Sequence, residues 1–382
     1  MTNRLFKRFA LLLALFTAFF ASLSSAVQAS VSYRDLTISP DGAKMSVISQ
    51  SEGRDNLVIL EQSNFKPIHM ESFPAEIRVL GHYWVTPERL VLQIERSGGQ
   101  TTRPQTYTEL FGVNADGSRS TLLFGINAGE RQTGSHIKRR KYMRANVEVV
   151  NVLPEEEESI LIAYEPWGSE GIWDKRAKII TTLNIYTGRT SNFTIESPSL
   201  ASELLTTPQG DLKFVTGLSS DGEMQGHVRS ENNWISLSKE PTTSFLPLSA
   251  TSEKLFALKR TMSQSAPDTL VALTLNNQEE TWLYTAKDRT IKKAITPLAG
   301  GAPFALVLEG TPAAYVFLAG DSKEKEVFKE LLAEFSGYDF EILSSDSQKE
   351  SWTVKVNVDD RDQRFYMYNR AAQELKLILA NQ

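Results

Sequence analysis

Between Leu36 and Ser49, apolar and polar residues alternate on both sides of a Pro40-Asp41-Gly42 corner, with Leu36 and Ile38 before it and Met45 and Val47 after it. Period-two alternation around such a corner predicts two antiparallel strands, because Pro presets φ for a turn and Gly accepts positive φ. The pattern recurs at Tyr83–Glu95 around Thr86-Pro87-Glu88-Arg89, at Leu110–Gly125 around Asn114-Ala115-Asp116-Gly117, and at Lys178–Ile195 around Tyr186-Thr187-Gly188-Arg189. Further copies occupy Leu204–Gly217, Leu246–Arg260, Asp268–Thr285 and Ser351–Leu379. Paired corners recur roughly every 40 to 50 residues, the length of one four-stranded propeller blade. The pattern therefore predicts an all-β chain folded as a single β-propeller of about seven blades. A pair of stacked β-sandwiches is the competing all-β arrangement.

One segment departs from the two-residue period. In Asp321–Gly337, Val327, Phe328, Leu331, Leu332 and Phe335 fall at helical spacing, with Asp321 or Ser322 able to cap the start and Gly337 able to end it. This predicts one amphipathic helix inserted near the C-terminus, its apolar stripe packed against blades.

The first 29 residues do not belong to this fold. Basic Arg4, Lys7 and Arg8 precede an apolar run, and Val27-Gln28-Ala29 offers small residues at the positions a signal peptidase inspects. Cleavage after Ala29 is expected, leaving residues 30–382 as the propeller domain and no stable membrane span. Loss of those three basic residues takes the formal charge from −5 to −8, which argues against a nucleic-acid partner. With no cysteine, disulfides and thiolate metal sites are excluded, so a core drawn from a 41% hydrophobic composition must hold the fold. The expected location is the periplasm or the exterior.

Several stretches carry a family resemblance: Ile38–Gly42 (ISPDG), Leu80–Gln93 (LGHYWVTPERLVLQ), Leu110–Leu123, Thr206–Thr216 and the closing run from Phe328 to Leu379. In this order they resemble the N-terminal propeller of exported serine peptidases of the prolyl oligopeptidase family, in its acylaminoacyl-peptidase and dipeptidyl-peptidase-like branch. In that family the propeller precedes an α/β-hydrolase domain carrying G-x-S-x-G and then Asp and His. This sequence stops at Gln382, where that domain would begin, so the resemblance implies a propeller lacking the hydrolase domain.

Catalytic signals are weak. Gly320-Asp321-Ser322-Lys323-Glu324 and Gly217-Leu218-Ser219-Ser220-Asp221 each lack the second glycine of a nucleophile turn, and no histidine follows His227. No catalytic residue is assigned, and an enzyme is not expected. His69, His82, His136 and His227 are dispersed, and Asp359, Asp360 and Asp362 lack the glycine and terminal glutamate of a calcium loop, so neither metal nor cofactor is expected.

Binding candidates remain. Glu155 and Glu156 open an acidic corner that could neutralise an ammonium group, although a charged corner before a strand is the ordinary reading. Trp167 and Trp173 flank an excursion between strands, where recognition is often built on rigid scaffolds; blade-to-blade packing is the plain alternative. The basic run His136–Lys141 reads as an exposed loop able to meet an acidic partner. The expected function is noncatalytic binding of a peptide or protein partner. The alternative is a propeller subunit, or truncated remnant, of a peptidase whose hydrolase domain is encoded separately or lost.

Overall fold

The computed structural model describes residues 31–97, 106–129, 142–168, 176–237, 243–261, 267–359 and 361–381. The expected leader, Trp173, Asp360 and the basic run 136–141 lie outside the described residues.

The opening hairpin forms as the alternation predicts. Strand β1 (Ser32–Ile38) pairs with β2 (Lys44–Ser51), Gly42 adopts φ +75° at the corner, and the Ser39 hydroxyl donates to Asp41 Oδ1 at 2.6 Å. The first sheet continues with β3 (Arg54–Glu61) and β4 (Pro67–Ser72). The second contains β5 (Ile77–Thr86), β6 (Arg89–Ser97), β7 (Thr106–Asn114) and β8 (Thr121–Phe124). All pairings are antiparallel between chain neighbours, which short corners dictate.

The third sheet has seven strands: β9 (Ala145–Asn151), β10 (Ser159–Pro166), β11 (Ala177–Asn184), β12 (Ile195–Thr206), β13 (Leu212–Leu218), β14 (Met224–Ser230) and β15 (Asn233–Ser236). Neighbouring strands lie about 4.8 Å apart, so in a flat sheet β10 and β13 would be about 14 Å apart, too far for side chains to share a core. Yet Leu161, Ala163 and Ile180 form one buried cluster with Leu212 and Val215. The sheet therefore folds back at β12. The first part of β12 pairs with β11 and its second part with β13, with a bulge between Leu200 and Glu203 and Ala201 at φ +47°.

The fourth sheet is β16 (Thr243–Ala250), β17 (Lys254–Thr261), β18 (Thr269–Thr274) and β19 (Glu280–Thr285). The fifth has three strands, β20 (Ile291–Ile295), β21 (Ala305–Leu308) and β22 (Ala314–Phe317). Helix α1 (Lys323–Glu334) follows, and the last sheet is β23 (Asp339–Ser345), β24 (Ser351–Asn357), β25 (Gln363–Asn369) and β26 (Glu374–Ala380). Hydrogen-bonded sheets among the described residues thus number six, the third of them seven-stranded and folded back at β12, where the corners predict about seven units.

Ser322, not Asp321, caps the helix by accepting the Lys325 amide at 3.2 Å. Val327, Phe328, Leu331 and Phe335 enter a core with Phe304, just before β21 of the fifth sheet, and with Phe340, Trp352 and Val354 of the sixth, the packing role expected of the stripe. Lys325 lies buried and donates to the carbonyls of Leu318 and Gly320, so the charge holds the helix start against the end of β22.

Buried apolar clusters join each sheet to the next. Phe365 and Met367 of β25 pack with Leu36, Ile38, Met45 and Val47 of β1 and β2, bringing the last sheet against the first. These two sheets share no ladder among the described residues. Side chains supply the cross-links: Tyr33 N donates to Asn381 Oδ1 at 2.6 Å, and Asn381 Nδ2 donates to Tyr33 O at 2.9 Å. Ser344 Oγ accepts the Ile38 amide, and the Thr353 hydroxyl donates to Leu36 O.

Candidate functional site

Along β9, a strand edge meets the second sheet without a backbone ladder. Thr108 takes the place of a strand partner: its hydroxyl donates to Val147 O and accepts from Val147 N, both at 2.7 Å. Asn146 Oδ1 accepts the Thr108 amide at 3.3 Å, and Gln93 Oε1 accepts the Val149 amide at 3.4 Å. Polar side chains stand here because exposed strand-edge groups require partners.

A cavity of about 270 Å³ opens beside this seam. Gln93 and Glu95 of β6 and Tyr107 and Thr108 of β7 form one wall; Asn146, Val147 and Glu148 of β9, Ala163 and Glu165 of β10, and Lys178 of β11 form the other. Register explains the second wall. Asn146 lies opposite Glu165 and Glu148 opposite Ala163, while Lys178 is two residues from Ile180, which faces Ala163, so all share one face of the sheet.

The charges do not balance. Three carboxylates, Glu95, Glu148 and Glu165, face the cavity against the single ammonium of Lys178. Lys178 Nζ pairs with Glu148 at 2.7 Å, and Glu165 Oε1 accepts the Arg176 amide at 3.1 Å. Glu95 has no ion-pair partner among the described residues, unlike buried Glu109 nearby, which binds Arg96 Nε at 2.6 Å and the Asn127 amide at 2.8 Å. Nearby, the Tyr83 phenol is pushed up by burial and then by Glu148 and Asp35.

Trp167 stands behind this wall. Its ring meets Tyr107 edge-on at 5.5 Å, and the Arg144 guanidinium lies 5.8 Å from the ring centre. The indole N–H is sealed from solvent without a hydrogen-bond partner among the described residues. Glu155 and Glu156 lie elsewhere, on the exposed corner between β9 and β10, where the Glu156 amide closes a turn onto Leu153 O at 2.8 Å. The structure thus does not bring them together with Trp167.

The cavity residues escaped the sequence reading. Their signal was polar pairs two apart on strands, Gln93 with Glu95 and Asn146 with Glu148, where core residues would continue the pattern. Each pair alone resembles a solvated strand face.

The serines considered for catalysis have structural positions. Ser322 caps α1, and Ser219 accepts the Glu223 amide at 3.1 Å in a turn. Ser199 Oγ lies 3.3 Å from His227 Nδ1, but both are buried at the β12 bulge among Ser197 and Ser202, and burial lowers the imidazole pKa. This cluster satisfies the polar groups of an irregular strand. Asp359 Oδ1 accepts the amides of Arg361 and Asp362, as a turn residue does. Among the described residues no group of three or more His, Asp or Glu side chains forms a metal-binding set, and no helix is long and apolar enough to cross a membrane.

No family model and no curated protein sequence matches the chain. Solved structures do. The β-propeller domain of the Trilobed protease from Pyrococcus furiosus, described as having an open velcro topology, aligns at TM-score 0.53 and 9% identity over 92% of this chain and 96% of its own. Prolyl oligopeptidase B from Galerina marginata aligns at 0.53 and 10% identity, over 94% of this chain and 52% of its own. A prolyl endopeptidase studied for inter-domain dynamics aligns at 0.55 and 8% identity, over 92% and 50%. The chain spans about half the length of these two peptidases. At such identities the likeness is one of fold: the chain folds as a β-propeller like those carried by prolyl oligopeptidase-family peptidases.

Proposed function

We propose that the chain is an exported propeller that binds a peptide or protein partner on a preformed site and performs no chemistry on it. The observation that carries this reading is the cavity between the second and third sheets. Its walls are regular strands cross-linked through Thr108 and Gln93, so its groups are held in place before any ligand arrives. Export rests on the basic and apolar leader ending at Ala29.

A second reading follows from the fold. The chain covers about half of each of two peptidases that carry such a propeller, and as the alternative we propose that it serves a serine peptidase as its propeller subunit.

One experiment addresses both readings. Purified residues 30–382 are incubated with a random peptide library, and mass spectrometry reads the retained and cleaved fractions. Retention of an intact subset is expected. Cleavage would contradict the noncatalytic reading, and absence of retention would contradict peptide binding. For the subunit reading, a neighbouring reading frame with G-x-S-x-G, Asp and His, whose product co-purifies with this chain, is the supporting result.

A further inference from the structure

We propose that the cavity between the second and third sheets receives a basic side chain, foremost the guanidinium of an arginine in an extended peptide. This rests on the peptide-binding reading above and names the chemistry that its site selects.

The cavity is just below the lower end of ordinary small-molecule pockets, about 300 Å³, which suits one long side chain better than a folded ligand. Its three carboxylates exceed its one ammonium, leaving a formal excess of two negative charges. Lys178 is already engaged with Glu148, while Glu95 has no ion-pair partner among the described residues. An anionic ligand would meet these carboxylates with only a committed lysine in compensation; a cation would complete the set.

A second observation is geometric. Thr108 and Gln93 tie β6 and β7 to the edge of β9, so the carboxylates on either side of the seam are held at fixed separation. Carboxylates held on two sides of one cavity favour the planar guanidinium, whose fork can bridge carboxylate oxygens, over the compact ammonium of lysine. The outer strands leave Met70, Trp282 and Leu377 exposed, but no observation identifies an occupant for those faces.

Isothermal titration with acetylated, amidated peptides Gly-X-Gly-Tyr tests the proposal, with X as arginine, lysine, citrulline or glutamate. Citrulline keeps the shape of arginine without its charge. Arginine is expected to bind about tenfold or more tightly than citrulline, with lysine between and glutamate weakest. Glu95→Gln and Glu165→Gln should each weaken the arginine peptide several-fold, and raising the salt should weaken it further. The exposed-corner double variant Glu155→Gln/Glu156→Gln should bind like the parent, separating the cavity from general acidity. Circular dichroism confirms that each variant is folded. Equal binding of arginine and citrulline peptides, or no effect of either cavity variant, overturns the inference while peptide binding stands. Failure of every probe to bind overturns the inference, and an empty library selection as well would remove the peptide-binding reading beneath it.

Discussion

Replacing Arg89 with methionine removes a charge that the fold buries without a carboxylate partner among the described residues. Its guanidinium is fully enclosed, with Nε and Nη2 donating to Ile185 O at 3.2 and 2.9 Å, and Nη1 to Asn114 Oδ1 and Arg119 O at 3.0 and 2.9 Å. The Tyr186 ring centre lies 5.1 Å away. Arg89 thus ties β6 of the second sheet to the chain following β11 in the third. Methionine keeps most of the stem volume, so the loss is mainly polar. Leaving the buried Ile185 carbonyl without a donor costs about 1–3 kcal/mol, and the two part-buried acceptors about 0.5–1 kcal/mol each after they regain water. The lost cation–π contact adds about 1–2 kcal/mol. Relief of the charge's desolvation, the effect that lowers the arginine pKa, offsets part of this and leaves a net destabilisation of about 3 kcal/mol. For about 350 residues, with unfolding entropy near 2.1 cal/mol/K per residue, that corresponds to a fall in Tm of about 4 °C. Urea unfolding followed by tryptophan fluorescence, together with a thermal melt, measures both quantities. Arg89→Lys should fall between the two proteins, since an ammonium lacks the fork that reaches three acceptors. Gly112→Ala should act in the same direction, because its Cβ would lie 2.5 Å from Arg89 Nη2. A methionine variant as stable as the parent would refute the reasoning.

Other outcomes follow from single groups. Asn381→Ala should cost about 1–2 kcal/mol and speed hydrogen exchange at the Tyr33 amide, read by mass spectrometry, because it removes the paired bonds between the last and first sheets. Ser322→Ala should cost about 1 kcal/mol by uncapping α1, measured by urea unfolding. His82 is buried with Nε2 3.0 Å from Thr37 Oγ1, and burial pushes its pKa down to about 4. The unfolded chain therefore binds the proton first: this contribution is complete above about pH 6.5 and is lost as pH falls toward 4, up to about 3 kcal/mol. Stability curves of the parent and His82→Gln across that window should converge toward low pH.

The strands legible in sequence were those whose alternation coincides with burial. Leu36, Ile38, Met45 and Val47 read as the inward face of a hairpin and do fill one core. The helix was legible for the same reason, its stripe being the buried face. The first half of β12 was not, because Ile195-Glu196-Ser197-Pro198-Ser199 has the composition of a loop. Ser197, Ser199 and Ser202 are buried through bonds to one another and to nearby backbone, a tertiary solution that local pattern does not encode. The cavity was hidden for a related reason. Its residues are distributed over five strands from β6 to β11, and only strand register unites Glu148, Glu165 and Lys178 on one face.

The binding site is tested most directly by hydrogen–deuterium exchange of the protein with and without the tightest peptide from the library. Protection should concentrate in β6, β7, β9 and β10 around Glu95, Thr108, Glu148 and Glu165, with the peptide recovered at its intact mass. Protection confined to the fourth, fifth or last sheet, or recovery of a cleaved peptide, would contradict a noncatalytic site between the second and third sheets.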